Sequence, residues 1–560
     1  MMGSSTAEPE NITTDREAHQ TVSAVGVFAC AWPALLVATF CLLPFLNKPF
    51  NIDDSWFLTM AQQIVRHPAH PMDFGICWND RASDECRNAY QFESGNALKG
   101  QVAQGYVLVP TVLGGTHEWM AHVTQLVLVW IAVIAMTSLI LRLGWDRRHA
   151  IAGALLLVAI PPFLPMASTA MPDILATAVA LVAMERLAAW KADHKWSQGA
   201  AAAIALGLAG FARPHLVLLL PLAAFFLLES TNPTAILEQI RRKSWLWTPI
   251  LAGFGILSAV FVVVREHNFM PPAIVTGTQN IRPNLIAYLL YFAFPLPIVA
   301  CWVVSRLKIG RLPVGVILSA VLVVPWFFLW NHPLVRVVAI VGLALAGCSA
   351  LVGVMIEALK KRDHMELFLL LWILIPLPIV YYSHLPMKYL LPCMPAVILL
   401  CFRLFEGVSV RVAQFAAILL IVASTGYSLL ILRSDAEFAE FGRDALFQLI
   451  KPHVAAGEKV WFGGQYWSYW YAPLAGATLT YPGGPQPKPG DLFVSDAFAW
   501  QEHPPLMRFP NRTLLETVTH KYRFGRTMGA GIGLYSNGSG LWLWGFGDSD
   551  NDRFELWRIN

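Results

Sequence analysis

The sequence predicts a polytopic α-helical membrane protein with a small α/β domain at its C-terminal end. Three observations lead there. Of 560 residues, 56% are hydrophobic and 14% charged, against roughly 25% charged in a soluble globular chain. Mean hydropathy is +0.53. Apolar runs long enough to cross a ~30 Å hydrocarbon core recur along the chain, and lysines and arginines gather in triplets between alternate runs.

The first run, 22–46, is too long for a signal-peptide core and lacks a small-x-small cleavage site, so it reads as a retained first span. Twelve more are expected at 119–141, 150–166, 174–190, 198–212, 215–228, 245–264, 285–304, 313–330, 334–356, 367–382, 389–405 and 412–432, thirteen in all. With residues 1–21 inside, the basic triplets Arg142/Arg147/Arg148, Arg186/Lys191/Lys195, Arg241/Arg242/Lys243, Arg306/Lys308/Arg311 and Lys360/Lys361/Arg362 fall in inner loops. The short outer loops carry only Arg213, Arg265, Arg282, Arg336 and Lys388, as the positive-inside rule requires. The odd count then sends the C-terminus outside. Three regions follow: a cytoplasmic segment 1–21, a membrane domain 22–432 that includes a first outer loop 47–118, and an outer domain 433–560.

The outer domain opens with Ser434-x-x-Glu437, a capping-box pattern, ahead of Phe438, Phe441, Ala445, Leu446 and Leu449 on one helical face. Strand-like runs follow at 459–462, 477–481, 491–495 and 541–544, separated by turn-rich stretches such as "PGGPQPKPG". The glycine-rich "MGAGIGLYSNGSG" (528–540) has no helix pattern after it and reads as hairpin turns. The aromatics of "VWFGGQYWSYWYAP" (460–473) read as domain core or membrane belt before they read as a sugar-stacking surface.

Composition excludes some partners. The net charge of +4 is spread in twos and threes, so no stripe exists to grip nucleic acid. Six cysteines lie in apolar runs. Cys77 and Cys86 share a polar loop without zinc-type spacing, and a local disulfide in an oxidising compartment is expected. His67 and His70 stand near Asp73, but the prolines beside both histidines argue against a helical metal pair.

Charged side chains near spans are costly, so their placement is informative. Asp53, Asp54, Asp173, Arg213, His215, Arg282, Arg336 and Lys388 all fall at outer span ends and form one layer. Carboxylates there can deprotonate an acceptor hydroxyl, while Arg, Lys and His can neutralise a phosphate leaving group. A lipid-linked phosphate sits at that depth. A divalent cation bridging Asp53 or Asp54 to that phosphate suits the oxygen donors. A transporter or lipid flippase is the alternative, but such proteins bind near the midplane between repeated halves, and neither feature is legible here.

The stretch "NIDDSWFLTMAQQIVRHPAHPMDF", an acid pair opening the loop after a first span, resembles the membrane glycosyltransferases of the GT-C fold. The protein O-mannosyltransferase-like and lipid A aminoarabinose transferase-like enzymes are the nearest in pattern. "STAMPDILATAVAL", "GLAGFARPHLVLLLPL" and "MKYLLPCMPAVILL" are similar to that family in order and position. The resemblance implies a polyprenyl-phosphate-linked sugar donor and a lipid, glycan or protein acceptor at the outer face of the inner (plasma) membrane. It implies Asp53 as the catalytic carboxylate with Asp173 a supporting acid, and Arg213 and Lys388 near the donor phosphate. From the charged layer itself, Asp54 is a supporting partner of Asp53 or the alternative base, and His215 and Arg282 are further candidate phosphate contacts. Reporter fusions should read cytoplasm at residue 243 and exterior at residues 433 and 560; a cytoplasmic signal at 560 would break the span count.

Overall fold

The computed structural model describes residues 23–72, 74, 101–228, 233–263, 278–293, 333–406, 409–463, 468–481, 484–497, 508–529, 531–546 and 552–560. The segment 1–21, the Cys77–Cys86 bridge, Asp73, the expected span 313–330 and the side chain of Arg336 lie outside the described residues.

Helix dominates. The chain enters through α1 (Ala24–Leu42), capped by Ser23, whose Oγ accepts the Gly26 amide at 3.1 Å. A short helix α2 (Asp54–Arg66) follows, then α3 (Val102–Val107) and α4 (Val109–Leu113), before the long α5 (Glu118–Arg142) returns along α1. Next come α6 (Arg147–Ala159), α7 (Phe163–Ala167), α8 (Asp173–Asp193), α9 (Trp196–Ala212), α10 (Leu219–Leu227), α11 (Pro233–Arg242), α12 (Thr248–Val263) and α13 (Thr278–Ala293). The bundle closes with α14 (Pro333–Lys361), α15 (His364–Leu374), α16 (Met394–Leu404) and α17 (Val410–Ala455). α8 is buried on every face between α5 and α9, consistent with apolar residues all round it. α9 meets α12 through facing glycines: a Cβ on Gly207 would lie 2.8 Å from the Gly253 carbonyl oxygen.

Among the described residues, seven helical stretches combine the length and hydropathy of a membrane crossing: 24–45, 118–142, 244–263, 340–361, 364–381, 387–404 and 410–455. Of the other expected spans, 174–190 lies in the unbroken 21-residue α8, which carries Asp173, Glu185, Arg186, Lys191 and Asp193. The described parts of the rest are shorter or broken helices, so seven described stretches and not thirteen meet the length and hydropathy of a crossing. Proline is the reason at several of them. Pro161 and Pro162 divide 150–166 into α6 and α7, and Pro214 turns the start of 215–228 into a 3-10 turn. The breaks at 168–172, 213–214 and 382–386 all gather at one end of the bundle, where the C-terminal unit docks.

α17 corrects the expected helix start at Ser434. It runs unbroken for 46 residues from the bundle into the C-terminal unit, about 69 Å at 1.5 Å per residue. Ser434 therefore caps no helix: its Oγ, with a single proton to donate, lies within reach of the carbonyls of Leu430 at 2.9 Å and Phe524 at 2.6 Å. Glu437 accepts the amides of Arg523 (3.0 Å) and Phe524 (3.2 Å). The polar pair that reads as a cap is the seam to the next unit.

That unit is α/β. Strands β1 (Val460–Phe462), β2 (Thr478–Leu479), β3 (Leu492–Ala497), β4 (Arg512–Thr519) and β8 (Arg553–Ile559) form a sheet ordered β2-β1-β3-β8-β4. β1 pairs in parallel with β2 and β3, and β8 runs antiparallel between β3 and β4. The helix α18 (Ser468–Leu474) packs on α17. The glycine-rich stretch folds as a second sheet, β5 (Met528–Gly529), β6 (Gly531–Gly533) and β7 (Gly540–Trp542). Among its described residues the aromatic stretch contributes to the core: Trp461 and Tyr471 are buried, and the Tyr471 hydroxyl accepts the Phe50 amide at 2.8 Å.

One ion pair ties both units. Lys48, just past α1, pairs with Asp435 of α17, both side chains fully buried. The Lys48 ammonium also donates to the Ser168 carbonyl (3.1 Å) and Oγ (3.2 Å). Asp435 further accepts from Asn51 Nδ2 (3.2 Å), Thr527 Oγ1 (3.3 Å) and Tyr535 Oη (2.7 Å). Breaking a buried pair from one side typically costs about 3–5 kcal/mol. Asp435→Ala should accordingly lower the melting temperature of detergent-solubilised protein sharply, and Lys48→Met with Asp435→Leu should recover part of the loss.

Candidate active site

The acidic turn after α1 is built under constraint. Asn51 Oδ1 accepts the Ile52 amide at 2.9 Å, and Ile52, although β-branched, takes φ +45°. Asp53 then stands at the N-cap of α2 without making the usual side-chain capping bond. Its carboxylate instead faces the Lys388 ammonium, Oδ2 to Nζ 3.5 Å, with 37% of the side chain exposed.

Asp54 is placed differently. It is fully buried, and its two oxygens accept the amides of Asn51 and Ala170, each at 2.7 Å. It helps hold the segment 168–172, a non-helical link between α7 and α8 whose buried backbone must find partners. The other partners are Lys48 on Ser168, Gln104 Nε2 on the Ala170 carbonyl (2.7 Å) and Gln125 Nε2 on the Met171 carbonyl (3.1 Å). Burial pushes the Asp54 carboxyl up to about 7, against the opposing pull of Lys48 and the two amides, with Asp435 pushing the same way as burial.

That link ends by setting Asp173 in the first turn of α8, where a carboxylate suits the helix dipole. Asp173 Oδ1 accepts from Arg213 Nη2 at 2.5 Å. Oδ2 is buried with no partner among the described residues, as are Gln104 Oε1 and Gln125 Oε1. Arg213 caps the C-terminal end of α9, and its guanidinium lies 4.3 Å from the Tyr389 ring centroid. Lys388, 2% exposed, lies 3.3 Å from Met171 Sδ and 5.8 Å from the Tyr389 centroid. Two ion pairs, Asp53–Lys388 and Asp173–Arg213, thus flank one tyrosine. His384 Nε2 hydrogen-bonds the Tyr389 hydroxyl at 3.1 Å. Burial, then the charges of Lys388 and Arg213, push the His384 imidazole down to about 3, so it is neutral in ordinary buffers.

The expected residues therefore divide. Asp53, Asp173, Arg213 and Lys388 come together; Asp54 abuts them as part of the scaffold. His215 is half-buried on the turn after Arg213, with Nε2 unpartnered among the described residues. Arg282 is exposed on the first turn of α13 and makes no hydrogen bond or ion pair with the described members of the cluster. No three His, Cys, Asp or Glu side chains converge among the described residues. Sequence reasoning missed Lys48, Asp435, His384, Tyr535 and Asn537. A signal existed for Lys48 and Asp435, each a charge abutting an apolar run. None existed for Tyr535 and Asn537, which reach this end from the loop between β6 and β7.

No family model matches the chain, and no curated protein matches it. Among solved structures, it is similar to an oligosaccharyltransferase from Archaeoglobus fulgidus tethered to an acceptor peptide containing the NVT sequon. The identity is 14% over 82% of this chain and 64% of that one, with a TM-score of 0.43. It is also similar to arabinosyltransferase EmbB from Mycobacterium smegmatis, at 15% identity over 77% of this chain and 43% of that one, with a TM-score of 0.37. The chain thus spans less than two thirds of the length of either structure.

Asp54→Ala leaves two buried amides unsatisfied at about 1–3 kcal/mol each, so it should destabilise the fold by about 2–6 kcal/mol. The stability Asp54 contributes is complete below its unfolded value of 3.8 and is lost as the pH rises through about 7. Wild type and Asp54→Ala should therefore differ more in melting at pH 5 than at pH 8.

Proposed function

We propose that the chain is an integral-membrane glycosyltransferase of the GT-C type, transferring a sugar from a polyprenyl-phosphate donor to a lipid, glycan or protein acceptor. The reaction takes place at the extracytoplasmic face of the inner (plasma) membrane. The observation that carries this reading is the partly exposed Asp53 carboxylate, facing buried Lys388 at 3.5 Å, at a bundle end that also holds Arg213. Charge of both signs kept so close to apolar helix ends serves binding or chemistry.

In this mechanism the acceptor hydroxyl lies against Asp53. Its oxygen attacks the anomeric carbon, its proton passes to the Asp53 carboxylate, and the bond from that carbon to the phosphate oxygen breaks on the opposite face. The phosphate departs with the bonding electrons, and Lys388 and Arg213 take up its charge. Configuration inverts. Asp173 holds the Arg213 guanidinium in place and does not need to touch substrate.

Transfer of radiolabelled sugar from a polyprenyl phosphate by purified protein tests this directly. Asp53→Asn keeps the shape and removes the base, so turnover should fall about 100-fold to 10,000-fold while the protein still binds donor. Lys388→Ala should weaken donor binding by about 2–5 kcal/mol. Lys388 is the cleaner cation to test, because Arg213→Ala also leaves Asp173 buried and unpaired. Near-wild-type transfer by Asp53→Asn would end the assignment.

A further inference from the structure

The segment between β6 and β7, which pair in parallel, is a tight loop that projects as a finger. The Gly531 amide donates to the Ser539 carbonyl at 2.9 Å, and the Leu534 amide to the Thr527 carbonyl at 2.9 Å. There is no room for side chains at its base, where a Cβ on Gly540 would fall 1.8 Å from the Gly531 carbonyl carbon. The tip carries Tyr535 and Asn537 into the helical bundle.

Each makes contacts there. Tyr535 is 3% exposed, donates its hydroxyl proton to Asp435 at 2.7 Å, and sets its ring centroid 5.0 Å from Lys388 Nζ. Asn537 Nδ2 donates to Asn284 Oδ1 at 2.8 Å, and its Oδ1 accepts the Leu385 amide at 2.7 Å. Asn284 in turn donates to the Tyr382 carbonyl at 2.7 Å. The non-helical stretch 382–386 that leads to Lys388 is thereby held from the C-terminal unit and from α13 together. A lysine stem is flexible and its ammonium compact. The ring is a surface on which that ammonium rests, 3.5 Å from Asp53.

We propose that Tyr535 is a positioning residue for Lys388. Its ring seats the ammonium where the donor phosphate departs, so the C-terminal α/β unit completes the donor site of the bundle. This rests on the glycosyltransferase reading above. The hydroxyl has a different task, anchoring the finger to Asp435, and the two tasks separate by substitution.

The test uses full-length purified protein and two readouts: affinity for polyprenyl phosphate alone, and donor KM with kcat in the transfer assay. Tyr535→Leu removes ring and hydroxyl. It should weaken polyprenyl phosphate binding about tenfold, the order of a desolvated cation–π contact, and raise donor KM more than it lowers kcat. Tyr535→Phe keeps the ring, so it should restore most of that affinity while still melting below wild type for want of the bond to Asp435. Should the leucine variant fold poorly, the phenylalanine variant decides alone: binding as weak as in Lys388→Ala overturns the assignment. Wild-type affinity in well-folded Tyr535→Leu also overturns it. Wild-type protein that binds polyprenyl phosphate but transfers no sugar defeats the enzymatic reading, and the binding comparison still judges Tyr535.

Discussion

Everything at the site end hangs from the buried Lys48–Asp435 pair. An ammonium and a carboxylate out of water are tolerated only when every remaining donor and acceptor is satisfied. Here Lys48 spends its protons on Asp435 and Ser168, and Asp435 receives Asn51, Thr527 and Tyr535 besides. Those partners come from the exit of α1, the link before α8, the long helix α17 and the C-terminal unit. A single charge pair therefore sets the mutual position of four parts of the chain. Asp53, two residues after Asn51, inherits its place from that arrangement.

The second constraint is that helices break where the charged residues collect. A broken helix leaves amides and carbonyls that hydrocarbon cannot satisfy. At 168–172 they are met by Lys48, Asp54, Gln104 and Gln125, and at 382–386 by Asn284 and Asn537. The polar residues that close these gaps also stiffen them. The free ends of α8 and α9 then present Asp173 and Arg213 to each other across a fixed distance, with Tyr389 filling the space between the two cations.

Adjacent acids illustrate how division of labour arises. Asp53 and Asp54 differ by one residue, which on a helix turns the side chain by about 100°. One turns toward Lys388 and solvent; the other turns inward to two main-chain amides. Their burial differs accordingly, and so does their proton affinity: the inward carboxyl is pushed up by desolvation. Of the pair, only the outward acid is partly exposed. His384, kept neutral by burial and two nearby cations, adds a polar contact to Tyr389 without adding charge.

Much of this was legible in the residues alone. Apolar run length and the absence of charge describe local solvation, so α1, α5, α14 and α16 lie where hydropathy puts them, and β1, β2 and β3 follow from short apolar runs between turns. Asp53, Asp173, Arg213 and Lys388 were also visible, because a charge at the edge of an apolar run is costly wherever the chain later goes. Helix continuity through Ser434 was not legible, since a capping box and a polar seam are the same letters until a partner segment arrives. Nor was the burial of Asp54, which depends on the Ala170 amide 116 residues away. Tyr535 and Asn537 read as hairpin punctuation because their partners Asp435 and Asn284 lie 100 and 253 residues distant. Local pattern reports what each residue needs, burial or water or a hydrogen bond. Only the packed chain decides which distant group meets that need, because hydrogen bonds and ion pairs act over a few ångströms and are indifferent to separation along the sequence.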